Sequence, residues 1–134
     1  MPAGEVFAAL ALAQAVQSHL RREFGAVIAV GDCAPAARAI SCRYSRSPQM
    51  RRLVGACASA APRWLGVHVP REWNVDADRL SHPSMFACVS QEVAEGGWDV
   101  CRLVAPADLF DLLGQVTQLP LGRDDAPWDD ALPR

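Results

Sequence analysis

Two short runs dominated by apolar residues, Val27-Ile28-Ala29-Val30 and Trp64-Leu65-Gly66-Val67-His68-Val69, stand out from a chain otherwise patterned for helices. The first is bounded by Gly25 and Gly31, and such a continuous run predicts a buried strand of the parallel kind. The second reads as a second strand. Residues 5–22 contain neither Pro nor Gly and are rich in Ala, Leu and Gln, which predicts a helix; Arg21 and Arg22 suit its C-terminal dipole, and Gly25 closes the turn. Its apolar residues run nearly all round, so it is expected to be buried against both a sheet and a neighbouring helix.

Asp32 follows the first strand directly, and Ala34 to Ile40 is expected to be helical, with Pro35 in the first turn where a missing N–H is tolerated. Ser47-Pro48 has the form of a cap followed by a first helical residue, and Gln49 to Ala61 continues as an Arg- and Ala-rich helix stopped by Pro62. After the second strand, Asn74 stands as an N-cap for a short helix carrying Asp76 and Asp78. Helix, strand, helix, helix, strand, short helix is an α/β order with parallel strands joined by helical crossovers. Beyond His82-Pro83 the pattern weakens. Gly96-Gly97 marks a turn, Trp98 to Val104 is expected to be extended, and Pro106 to Leu113 forms a short helix with Leu109, Phe110, Leu112 and Leu113 on its apolar face. Three regions follow: 1–83 as an α/β domain, 84–118 as an extension with a short helix, and 119–134 as a flexible acidic tail with three prolines and four aspartates.

The chain has 134 residues, 51% hydrophobic and 21% charged, which fits one globular domain. It has no apolar run long enough to span a membrane, and the apolar N-terminal stretch opens with Glu5 rather than a basic segment. No membrane partner is expected, and the location expected is intracellular, in cytoplasm or nucleus, rather than secreted. Cys33, Cys42, Cys57, Cys88 and Cys101 are odd in number, without a C-x-x-C pair or a histidine at ligand spacing, and are read as reduced, buried, small hydrophobes. Charge is uneven. Residues 38–79 hold eight arginines against three acids, whereas residues 88–134 hold nine acids against three arginines. The arginines at 43–52 fit either a solvated helix face or a patch that tracks phosphates.

Glu5, Asp32 and Asp78 stand where chemistry is possible: the first turn of a helix, the C-terminal end of a strand, and the helix after the second strand. Open α/β sheets build their sites at C-terminal strand ends. Each acid also has a bland reading, Glu5 as dipole partner, Asp32 as a helix cap and Asp78 as a solvated helix acid. The Asp76-x-Asp78 pair does not open a calcium loop, and Cys33 has no histidine patterned to activate it.

Glu5 with its Ala-rich helix, Val27-Ile28-Ala29-Val30-Gly31-Asp32 with the helix behind it, and Asn74-x-x-Ala77-Asp78-x-Leu80-Ser81 resemble, in that order, the second, third and fourth carboxylate motifs of ribonuclease H. The resemblance is to the domain carried by reverse transcriptases of gypsy-like and DIRS-like retrotransposons. There a Val-Pro turn, as at Val69-Pro70, leads into the last motif. Trp98-Asp99-Val100, Asp108-Leu109-Phe110 and Leu112-Leu113-Gly114 are similar to the segment that trails the domain in DIRS-like elements, so the likeness covers about residues 4–114.

This resemblance implies a partial ribonuclease H-like α/β fold lacking the N-terminal antiparallel meander. It implies Glu5, Asp32 and Asp78 as catalytic and metal-binding carboxylates of a two-metal Mg²⁺ or Mn²⁺ site, and Arg43, Arg46, Arg51 and Arg52 as nucleic-acid contacts. In the intact family the reaction is metal-dependent, endonucleolytic hydrolysis of RNA in RNA–DNA hybrids. Two departures lower that expectation here: nothing before Glu5 supplies the first aspartate, and only Arg71, Glu72 and Trp73 separate Pro70 from Asn74, leaving no catalytic-loop histidine. Activity is therefore expected to be impaired, with a non-catalytic nucleic-acid-binding or interaction remnant as the alternative. The strand edge left without its meander is expected to take up a missing reverse-transcriptase segment or to self-associate.

Overall fold

The computed structural model describes residues 2–120. Its elements follow the predicted α/β order: α1 (Pro2–Leu20), β1 (Ala26–Gly31), α2 (Ala34–Cys42), α3 (Pro48–Ala60), β2 (Arg63–His68), a single 3₁₀ turn, α4 (Val75–Leu80), a second 3₁₀ turn, α5 (Phe86–Glu95) and α6 (Asp108–Thr117). The Ser47-Pro48 start forms as its chemistry predicts. The Ser47 hydroxyl accepts from the Met50 N–H at 3.3 Å, and Pro48 takes the first helical position.

β1 and β2 pair in parallel, Val27 opposite Trp64 and Val30 opposite Val67. Because side chains alternate along a strand, Val27, Ala29 and Trp64 face the helices while Ile28, Val30 and Leu65 face away. The latter three are 64%, 57% and 51% exposed. Here the expectation of a fully buried strand is corrected. Only one face of the sheet is covered, because α1, α2 and α3 all stack on the same side and, among the described residues, no element crosses to the other.

The core unites Val6 and Leu10 of α1, Ala39 and Ile40 of α2, Met50, Leu53, Val54 and Cys57 of α3, and Trp64 of β2. The indole N–H of Trp64 donates to the Cys57 carbonyl at 2.7 Å, which seats the ring without stranding its polar atom. Leu109, Leu112 and Val116 of α6 belong to the same cluster, and Gln49 Nε2 donates to the Leu119 carbonyl at 2.9 Å, so the end of the extension closes over α3.

Other differences are local. α1 ends at Leu20 with Arg21 at φ 51°, so the left-handed residue that stops the helix is Arg21 rather than a glycine. Trp98 to Val104 forms no strand. α5 arises where no helix was predicted, burying Val89 alone. The predicted acidic tail falls, from residue 121 on, outside the described residues. Of the cysteines only Cys57 is buried, and that burial pushes its thiol up to about 12; Cys88 and Cys101 are exposed. No helix among the described residues is long and apolar enough to cross a membrane.

Candidate nucleic-acid and carboxylate site

The three acids are carried to one end of the sheet. α1 runs opposite to β1, so Glu5 in its first turn lies level with Gly31 at the end of the strand. A groove of about 440 Å³ between α1 and the free edge of β1 is lined at this end by Glu5, Gly31, Cys33 and Ala77, the residue before Asp78. Three elements far apart in sequence therefore converge where the strand order of the chain predicts a site.

The side chains themselves are engaged differently. Arg71 Nε donates to Asp32 Oδ2 at 3.3 Å, with the arginine 80% and the aspartate 20% exposed. Asp78 is exposed, its backbone N–H bonded to the Asn74 carbonyl at 3.0 Å. Asn74 occupies the cap position, but its side chain makes no capping bond, so the predicted side-chain cap is replaced by a backbone turn. Asp32 does not cap α2 either: Cys33 holds that position. Among the described residues no three His, Cys, Asp or Glu side chains are grouped so as to hold a metal ion.

Arg71 was no candidate in the sequence, and neither was the fork that fixes α4. Arg79 donates through both terminal nitrogens to Glu92 of α5, at 3.0 and 2.9 Å, a bidentate pair that ties the Asp78 helix to its neighbour. The same hydrogen bonds and charge hold the Glu92 carboxyl below its ordinary value and raise the Arg79 guanidinium. Arg79 stands in the Asn74–Ser81 motif one residue past Asp78, but its partner lies on an unpredicted helix.

The arginine group gathers at the opposite end. Arg43 Nη2 donates to the Pro62 carbonyl at 2.7 Å, just ahead of β2. The acids lie past the far end of a six-residue strand, a span of about 20 Å at the usual rise. Arg51 reaches the Arg46 carbonyl at 3.5 Å and lies over the Tyr44 ring at 5.6 Å. Arg52 donates to Gln115 Oε1 at 3.2 Å. Arg43, Arg51 and Arg52 thus lean on neutral acceptors, which orient the guanidinium groups without cancelling their charge.

No family model matches the chain, and no curated protein or solved structure shows a significant match to it.

Proposed function

We propose that the chain is a ribonuclease H-like unit of the retroelement reverse-transcriptase kind that binds RNA–DNA hybrids, with Glu5, Asp32 and Asp78 an incomplete remainder of a Mg²⁺- or Mn²⁺-dependent hydrolytic site. The observation that carries this reading is the groove end where α1, the end of β1 and α4 meet, because it sets the three motif-bearing elements side by side in the order the resemblance implies. Arg43, Arg51 and Arg52 support hybrid binding: guanidinium groups that lean on neutral acceptors attract phosphates irrespective of sequence. The Arg71–Asp32 pair and the exposed, separate position of Asp78 support impaired hydrolysis.

Fluorescence anisotropy with a labelled RNA–DNA hybrid tests the binding. Affinity is expected to fall steeply with salt, and Arg51→Ala with Arg52→Ala is expected to reduce the salt slope by about two. Incubation with Mg²⁺ or Mn²⁺ is expected to leave the RNA strand as intact as with Asp78→Asn. Absence of hybrid binding at low salt overturns the proposal. Cleavage that Asp78→Asn abolishes would instead make the chain a working hydrolase.

A further inference from the structure

The two outer edges of the sheet are finished differently. On β2 the outward groups of Gly66 are met by one side chain: Ser41 Oγ accepts from the Gly66 N–H at 2.8 Å and donates to its carbonyl at 3.1 Å. On β1, the Gly31 carbonyl accepts from the Val69 N–H, so by the two-residue period Val27, Ala29 and Gly31 turn their backbone groups toward β2. Ala26, Ile28 and Val30 turn theirs to the opposite edge, which is unpaired among the described residues and opens onto the 440 Å³ groove.

We propose that this edge is a strand-accepting site whose occupant is an extended segment of another polypeptide, apolar at alternate positions and basic at the end that meets Glu5. A row of N–H and C=O groups calls for a backbone partner, and neither a helix nor a side-chain ligand supplies one at strand spacing. Ala8, Leu12 and Val16 of α1 form the floor of the lane such a strand would take, about 4.8 Å from β1. Leu12, 62% exposed, is covered by an apolar residue of the incoming segment. Among the described residues Glu5 is the one charged residue of the lining, which sets the preference for a basic end.

The same floor excludes the simplest alternative, a second copy pairing β1 with β1. A two-fold axis through such a pair puts both α1 helices on the same face. Each helix is about 10 Å across, yet both would lie beneath two strands only about 4.8 Å apart. A bare strand carries no such helix.

The probe is a short labelled peptide of alternating threonine and valine ending in lysine, titrated into the whole chain by anisotropy. Saturable binding is expected, with at least about tenfold loss when alternate peptide nitrogens are methylated, since that removes one edge of donors. Ala8→Arg, at an exposed helical position where arginine is well tolerated, is expected to weaken binding by a similar factor with circular dichroism unchanged. Replacing the terminal lysine by glutamate is expected to weaken it further. Absence of peptide binding, equal affinity for the methylated peptide, or indifference to Ala8→Arg overturns the proposal. A concentration-dependent dimer in sedimentation that Ala8→Arg dissolves also overturns it, by assigning the edge to a second copy.

Discussion

The outer edge of β2 and that of β1 have the same backbone chemistry and opposite fates. Against β2, α2 approaches so closely that Gly66 has no room for a side chain, and the Ser41 hydroxyl takes the place of a third strand. Against β1, α1 stands back and leaves a groove. An edge is closed here by one small residue and one hydroxyl, and without that pair an equally apolar strand stays available for pairing.

Gly66→Ala is the strongest way to break the contrast. The added methyl would overlap the backbone of Ala37, which unlike a side chain has no rotamer to escape into. α2 must shift from β2, and the expected loss is about 3 kcal/mol or more, at the upper end for overpacking. Thermal or urea denaturation measures it. A stability within experimental error of the parent chain would show that α2 is not held where described.

A comparison of thiols separates the two sides next. Cys57 lies behind β2, beneath Trp64, whereas Cys33 lines the groove beside β1. Alkylation followed by peptide mapping is expected to modify Cys88 and Cys101 first, then Cys33, and Cys57 only on unfolding. Burial raises the Cys57 thiol from its ordinary 9.0 to about 12, so in alkali the unfolded chain loses this proton before the folded one. The stabilisation is complete below about pH 9 and is lost as pH rises toward about 12. Cys57→Ala is expected to flatten that alkaline fall in the melting temperature; an unchanged slope would assign it to other groups.

Ser41→Ala leaves the Gly66 N–H and carbonyl without their side-chain partner at the same edge. The two groups are partly reached by water, so the expected loss is about 1 kcal/mol. If stability is unchanged, α2 alone closes the edge and the hydroxyl is incidental.

What could be read in advance divides along physical lines. Ser47-Pro48 and the two apolar runs announce their elements because capping and burial act within a few residues. The one-sided exposure of Ile28 and Val30 was not legible, since an apolar run looks the same whether its second face is covered or bare. α5 was missed although Phe86, Val89 and Val93 recur at helical spacing, because Phe86 and Val93 stay exposed and only Val89 commits to packing. For the candidate site, strand-end topology placed Glu5, Asp32 and Asp78 at one end, and that much followed from element order. Arg71 on Asp32 and Glu92 on Arg79 did not, since such pairs span 39 and 13 residues and depend on how loops and an unpredicted helix settle.

The smallest effect is expected on the open edge. Ile28 is 64% exposed, on the uncovered face, and its backbone groups point away from β2, so neither the ladder nor the core relies on its side chain. Ile28→Thr keeps the β-branched shape the strand favours and exchanges an ethyl group for a hydroxyl that water can reach. Its stability is expected to stay within about 0.5 kcal/mol of the parent chain, as for surface positions generally. Ile28→Lys should behave alike while placing a charge beside the edge, the means by which natural sheets discourage pairing. A loss of more than about 2 kcal/mol in either variant, comparable to a buried Ile, would mean that this face is already covered and that the edges of β1 and β2 do not differ.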